Sequence, residues 1–354
     1  MQRFKQQLIG LSVLIGLVAG LIGGNHTIQA AGTTQSNNIG FSVAAKIPKN
    51  QLNQKNSFFD LKMHSGQTQT LKTVIYNVTN RDIKVQTAIH TAYTNGNGVI
   101  EYVQPTQSFD SSLKFKMADL TKLSGSKTVV VPANGSKVVT AQVKIPKTTF
   151  NGVILGGWYF KRVNEKATST VKKSMNITNE YSYVIGLKYT LGKVPAPTLQ
   201  LTKVIAGMQN YHKGIFPVLR NPRAVIISNL NIKTKVTARN SGKTVVTNTK
   251  QHAQLAPNST YKYPLLLGKT NLQAGKYHLH MVVKNSQHRW VFDRNFTINQ
   301  AAAKKYNAAS VDTSGINIIW FIVLGALGML ILVLLLLWLV LWLKRRRQQS
   351  QDQN

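Results

Sequence analysis

The chain has 354 residues, no cysteine, and 44 Lys and Arg against 10 Asp and Glu, a formal net charge of +34 at pH 7. That balance favours polyanionic partners through long-range attraction and leaves the fold unspecified. The absence of thiols excludes disulfides, cysteine nucleophiles and thiolate metal sites.

Arg3 and Lys5 precede an apolar, glycine-rich run from Leu8 to Gly24, followed by Ile28-Gln29-Ala30. Residues 1–30 are therefore expected to be a secretory signal peptide, cut after Ala30. From Ile39 the sequence turns into short β-branched and aromatic runs divided by turn signals, the pattern of an all-β sandwich. Phe41-Ser42-Val43 opens it. Leu71 to Val78 and Ile83 to Ile89 flank the polar turn Thr79-Asn80-Arg81-Asp82 and are expected to pair as a hairpin. A second hairpin is expected from Val129 to Val131 and Lys137 to Ile145, about Pro132-Ala133-Asn134-Gly135. Asn95-Gly96-Asn97-Gly98 marks a turn, since Asn and Gly take positive φ at little cost. Gly152 to Phe160 reads as the last core strand of this first domain, 39–165.

The polar run Lys161 to Asn179 is expected to be a linker. A second domain, 166–300, restarts strand patterning at Tyr181 to Leu187, and Pro195-Ala196-Pro197 stiffens the path into Leu199 to Val204. Further strands are expected at Ala224 to Ile227, Leu230 to Ala238, Thr244 to Thr247, Tyr277 to Val283 and Trp290 to Ile298. Residues 301–315 read as a stalk or short helix.

Residues 316–343 are expected to cross a membrane. Ile318 to Leu343 runs 26 residues without a charged or strongly polar side chain. At ~1.5 Å per residue it reaches roughly 39 Å, enough for ~30 Å of hydrocarbon with some tilt. Trp320, Trp338 and Trp342 lie near its ends, where indoles favour headgroups. Lys344, Arg345, Arg346 and Arg347 open a basic tail, 344–354, which belongs on the cytoplasmic side. The expected fold class is mainly β, two immunoglobulin-like β sandwiches in tandem followed by one transmembrane α-helix. The localisation that follows is a single-pass cell-membrane protein with its two-domain region outside. An exported region of this size without disulfides fits a wall-facing Gram-positive protein. Export also argues against nucleic acid as the polyanion, leaving anionic glycans, wall polymers or acidic proteins.

Between the signal and the anchor lie 38 basic and nine acidic residues. None of the acids forms a close pair in sequence, and there is no Gly-x-Ser-x-Gly elbow. No catalytic, cofactor-binding or metal residues are nominated, and the protein is expected not to be an enzyme. His278 and His280 alternate on one strand face with His288 nearby, a pattern that more often stands on a solvated face than holds zinc. Aromatic rings both fill cores and stack on sugars, so Tyr102, Trp158 and Tyr159 are the candidate wall-contact residues. Alternation puts Trp158 and Phe160 on one face, which suits the core, and Tyr159 on the other.

Phe41-Ser42-Val43, Ile47-Pro48, Asn50-Gln51, Ser57 to Lys62, Gly66-Gln67, Val131-Pro132-Ala133 and Asn151 to Phe160 resemble the peptidoglycan domain of the WxL-interacting proteins of Gram-positive bacteria. Tyr181 to Gly186, Asn221-Pro222, Ala256 to Ser259 and Leu272 to Leu279 resemble the host-binding domain of that family. The resemblance implies immunoglobulin-like folds, attachment to peptidoglycan, association with WxL-domain surface proteins, and contact with host surface or extracellular-matrix proteins. The competing expectation is a cell-wall-modifying enzyme acting on glycan or peptide stems.

Overall fold

The computed structural model describes residues 40–106, 108–163, 181–312 and 318–349. The expected signal peptide and its cleavage after Ala30 lie outside the described residues. The first sandwich begins with β1 (Phe41–Lys46), β2 (Phe59–Met63), β3 (Thr68–Asn77), β4 (Ile83–Thr91), β5 (Tyr93–Thr94) and β6 (Ile100–Glu101). A single helical turn, α1 (Met117–Leu120), leads into β7 (Thr121–Leu123), β8 (Thr128–Val131), β9 (Ser136–Lys144), β10 (Gly152–Val163) and β11 (Ser182–Leu191). One sheet has the order β1-β3-β9-β7 and the other β2-β11-β10-β4-β8. Those orders correspond to the A-B-E-D and G-F-C sheets of an immunoglobulin sandwich, with β2 added parallel to β11 and β8 beside β4. Leu71, Ile75, Val85, Trp158, Phe160 and Leu187 alternate inward and are buried between the sheets.

Neither expected hairpin forms. β3 and β4 lie in opposite sheets, and so do β8 and β9. The two connecting turns cross the sandwich side by side and share polar contacts. The buried Asn77 amide donates to the carbonyls of Arg81, Val131 and Pro132 at 2.8, 3.1 and 2.9 Å, and the Asn134 N–H donates to Thr79 O at 2.8 Å. Alternation marks a half-buried strand without naming its neighbour, so an arch and a hairpin look alike in sequence.

The strand expected to open the second domain completes the first. β11 pairs antiparallel with β10, from Gly152 opposite Leu191 to Lys161 opposite Ser182. The polar run 161–179 thus connects neighbouring strands of one sheet, and its first three residues belong to β10.

The second sandwich is built from β12 (Gln200–Gln209), β13 (His212–Asn221), β14 (Ile227–Ala238), β15 (Thr244–Leu255), β16 (Ser259–Lys262), β17 (Leu265–Leu266), β18 (Gly275–Lys284) and β19 (Arg289–Ile298). β12-β13-β16, with β17 also on β13, faces β15-β14-β18-β19 across Ile215, Leu219, Leu230, Ile232, Leu279 and Met281. β13, central in its sheet, has no counterpart among the strands expected from sequence. Its Pro217 argues against a ladder position, yet the Pro217 carbonyl takes the Tyr263 N–H at 2.9 Å.

The expected stalk is docked rather than free as far as residue 312. α2 (Gln300–Ala309) is capped by Asn299, whose side chain accepts from Ala302 N–H at 2.7 Å. Asn307 then makes two 2.9 Å hydrogen bonds to the backbone of Leu272, one as donor and one as acceptor. Beyond it, the fully buried Lys213 donates from Nζ to Asp312 O at 2.8 Å, and His212 Nδ1 meets Asp312 Oδ1 at 2.8 Å. The contact with His212 holds the Asp312 carboxyl below the ordinary range against the opposing effect of desolvation.

α3 (Ile318–Gln349) contains one 21-residue stretch, Ile322–Trp342, with a mean hydropathy of 3.0 and no buried side chains. A helix apolar on every side, about 30 Å long, satisfies its backbone internally and suits a bilayer.

The two sandwiches meet through the β5–β6 finger. Thr94 Oγ1 lies 2.6 Å from Ser259 Oγ and accepts from Ala256 N–H at 2.9 Å; Gln254 N–H donates to Gly98 O at 2.8 Å. Gly98 has φ +69°, and a Cβ there would stand 2.8 Å from the Tyr261 ring, so the position needs glycine twice over. Arg220 grips Asp110 through two bonds of 2.8 and 2.9 Å, and Val153 N–H donates to Ala224 O at 2.8 Å.

Candidate functional site

The joint covers part of the outward face of β10, where Val153 and Leu155 pack with Ala92, Ile100 and Ala256. This two-sided burial explains the unbroken apolar run from Val153 to Phe160. Beyond the joint this face runs into a trough of about 570 Å³ that wraps over the edge of β11 toward β1 of the opposite sheet. Its walls are Phe58, Tyr102 and Tyr183, with Val43 to Ala45 of β1 on one side and Ile226 of the second sandwich at the end.

The floor follows from register. Gly157 sits opposite Gly186, and Tyr159 opposite Val184. A Cβ on Gly157 would lie 2.6 Å from Val184 Cγ2 and 3.0 Å from Tyr102 Cβ, so the close seat of Tyr102 requires glycine. Phe58 lies over Gly186, where an added Cβ would meet its ring at an ordinary contact distance of 3.4 Å, and Tyr183 packs edge-on against Phe41 with centroids 5.0 Å apart. β2 joins β11 only from Leu187 onward. Among the described residues no strand therefore pairs with Ser182 to Gly186 on that side, leaving main-chain N–H and C=O groups beside the aromatic walls. Lys188 borders the trough 3.0 Å from Asp60, which neutralises it locally. The resulting surface is apolar and ring-sized with a polar backbone edge, suited to the flat face of a sugar or an extended peptide.

The three nominated aromatics fare differently. Trp158 is 0 % exposed, stacked on Phe160 at 5.4 Å and Phe59 at 6.5 Å, with its indole N–H donated to Thr87 Oγ1 at 2.5 Å. As a core residue it has no surface for a ligand. Tyr159 is half-buried on the outward face and stacks on His90 at 5.3 Å. His90 Nδ1 in turn lies 3.2 Å from Tyr102 O, tying this stack to the trough wall. Tyr102 lines the trough itself, and its burial raises the phenol pKa, so the ring presents a neutral face. Sequence reasoning missed Phe58, Tyr183 and the Gly157–Gly186 floor. The Phe58-Phe59 doublet is a sequence signal for the wall, whereas the glycine floor becomes visible only once register sets Gly157 opposite Gly186.

His278 and His280 both reach Asp293 Oδ1, at 3.2 and 2.8 Å, while His288 stacks on Trp290 instead. His280 is the principal partner lowering the Asp293 pKa. Among the described residues no group of three or more His, Asp or Glu converges as a metal centre would require.

Residues 41–162 match the family model described as WxL Interacting Protein, peptidoglycan binding domain. Residues 172–308 match WxL Interacting Protein, host binding domain. The second match therefore includes β11, whose sheet partners lie in the first. No curated protein matches the chain. Solved structures to which the chain is similar include the class 5 fimbriae chaperone CfaA (10 % identity, 72 % of this chain and 98 % of that one, TM-score 0.29) and the E. coli chaperone DraB (15 %, 73 % and 98 %, 0.27). A Pseudomonas aeruginosa CupB2 chaperone is similar at 12 % identity over 66 % of this chain and 95 % of that one, with a TM-score of 0.26.

Proposed function

The chain belongs to the WxL-interacting protein family, and we propose that it is a single-pass, non-enzymatic protein of the Gram-positive cell surface. In this reading α3 is the anchor, Lys344 to Arg347 are cytoplasmic, and both sandwiches face the wall. The first binds peptidoglycan through the aromatic trough. The second associates with WxL-domain proteins and contacts host surface or matrix proteins. The observation that carries the wall-binding role is the trough on the first sandwich, walled by the half-buried Phe58, Tyr102 and Tyr183; its β1, β2 and β10 sides lie in the stretch matched to peptidoglycan binding, and its β11 side in the second match.

A soluble ectodomain ending at Asp312 should co-sediment with purified sacculi without releasing soluble fragments. Phe58→Ala and Tyr183→Ala should each weaken sedimentation roughly tenfold, equivalent to ~1.4 kcal/mol of lost stacking. Unchanged binding in both variants would move the contact elsewhere. Release of muropeptides would restore the wall-modifying enzyme.

A further inference from the structure

The chain leaves the second sandwich at one end, and that end has features a solvated loop cluster does not need. β12 and β13 are joined by the two-residue turn Asn210-Tyr211, both with positive φ, 49° and 64°. This is the turn that matches strand twist, but it ordinarily takes Asn and Gly; a bulky side chain there is uncommon. Tyr211 is nevertheless 72 % exposed. Its carbonyl accepts the Val311 N–H at 3.0 Å, and Val311 is itself 61 % exposed, so neighbouring backbone at the tip carries two exposed hydrophobic residues.

The tip is fixed to the exit of the chain. His212 and the buried Lys213, the next two residues of the hairpin, hold Asp312 through its carboxylate and its carbonyl. Only residues 313–317 separate Asp312 from Ile318, the first residue of α3, and six fully extended steps reach no more than about 22 Å. The end of the sandwich is therefore tethered within that distance of the anchor helix. Exposed Lys243, Lys269 and Lys304 lie in the β14–β15 turn, the β17–β18 loop and α2. The loop and α2 are bound together by Asn307 and Leu272, and the turn shares a cleft with the loop. The acid at this end, Asp312, is already engaged.

We propose that this end of the second sandwich rests on the outer surface of the bilayer, with Tyr211 and Val311 in the headgroup layer and Lys243, Lys269 and Lys304 against anionic lipid phosphates. An aromatic ring with a polar tip prefers that layer, and clustered lysines are attracted to anionic headgroups within a Debye length. The inference rests on α3 spanning the membrane. Its consequence is that the anchor sets the orientation of the sandwich instead of leaving it on a free tether.

The chain has no cysteine, so single cysteines label cleanly. Val311→Cys, and Ser286→Cys in the β18–β19 turn at the opposite end of the sheet, can each carry an environment-sensitive fluorophore in the full-length protein. With anionic-lipid nanodiscs the Val311 probe should blue-shift, lose most iodide quenching and be quenched by headgroup-labelled nitroxide lipid; the Ser286 probe should do none of these. Zwitterionic discs, or the combined Tyr211→Ser, Lys243→Gln, Lys269→Gln and Lys304→Gln variant, should restore most of the iodide quenching. Equal accessibility of the two probes in a disc-inserted protein would overturn the proposal alone. Failure of the full chain to insert would overturn the spanning anchor and the proposal with it.

Discussion

Asp110 shows how one residue couples the two sandwiches. Burial pushes its pKa up, but hydrogen bonds from Arg220 and Ser112 outweigh that and leave the carboxyl below its ordinary value. A depressed folded-state pKa contributes stability that is present above the unfolded value of about 3.9 and lost as pH falls through the folded one. Acidification below about pH 4 should therefore loosen the joint, seen as a larger radius of gyration in solution scattering. Asp110→Asn should flatten that acid response. Arg220→Ala should cost about 1–3 kcal/mol at neutral pH, because it strands a carboxylate whose side chain is only 5 % exposed. An acid response unchanged in both variants would place the coupling in the Thr94–Ser259 and Gly98–Tyr261 contacts instead.

At the level of elements, β11 decides where a foldable unit ends. A fragment stopping at residue 165 lacks the strand between β2 and β10 and exposes the edge of β10 together with one side of the Phe59–Trp158–Phe160 stack. It should be unfolded or aggregated, whereas a fragment of residues 40–194 should unfold cooperatively in urea. Comparable cooperative transitions for both would show that β11 is dispensable. The strands themselves were largely legible in sequence, because alternation of the kind seen in Ile83 to Ile89 records burial on one face. Their partners were not: the arches stitched by Asn77 depend on contacts more than 50 residues apart, and no local signal separates them from hairpins. β13 was hidden by Pro217. The core role of Trp158 was readable from its phase with Phe160, but the trough was not, since Gly157 acquires meaning only when register sets it opposite Gly186.

On the scale of the whole molecule, the charge becomes interpretable once the acids are located. Glu101 accepts the backbone N–H groups of Tyr102, Val103 and Gln104, while Asp60, Asp110, Asp293 and Asp312 face Lys188, Arg220, His280 and His212. With these five acids committed to local contacts and 38 cations outside the anchor regions, the excess acts as a field rather than as pairs. Such a field is screened over roughly 8 Å at physiological salt, whereas stacking in a neutralised trough is not. Because the joint holds the sandwiches together, the two contributions are best separated by changing the ligand instead of cutting the protein. The whole ectodomain, titrated against intact walls bearing anionic polymer, should lose affinity steeply between low and moderate salt. Against sacculi stripped of that polymer its affinity should be lower at low salt but nearly flat, and Phe58→Ala should reduce the flat component while leaving the salt-dependent one. Parallel salt slopes on the two wall preparations would mean that cations, not the aromatic trough, make the contact with peptidoglycan.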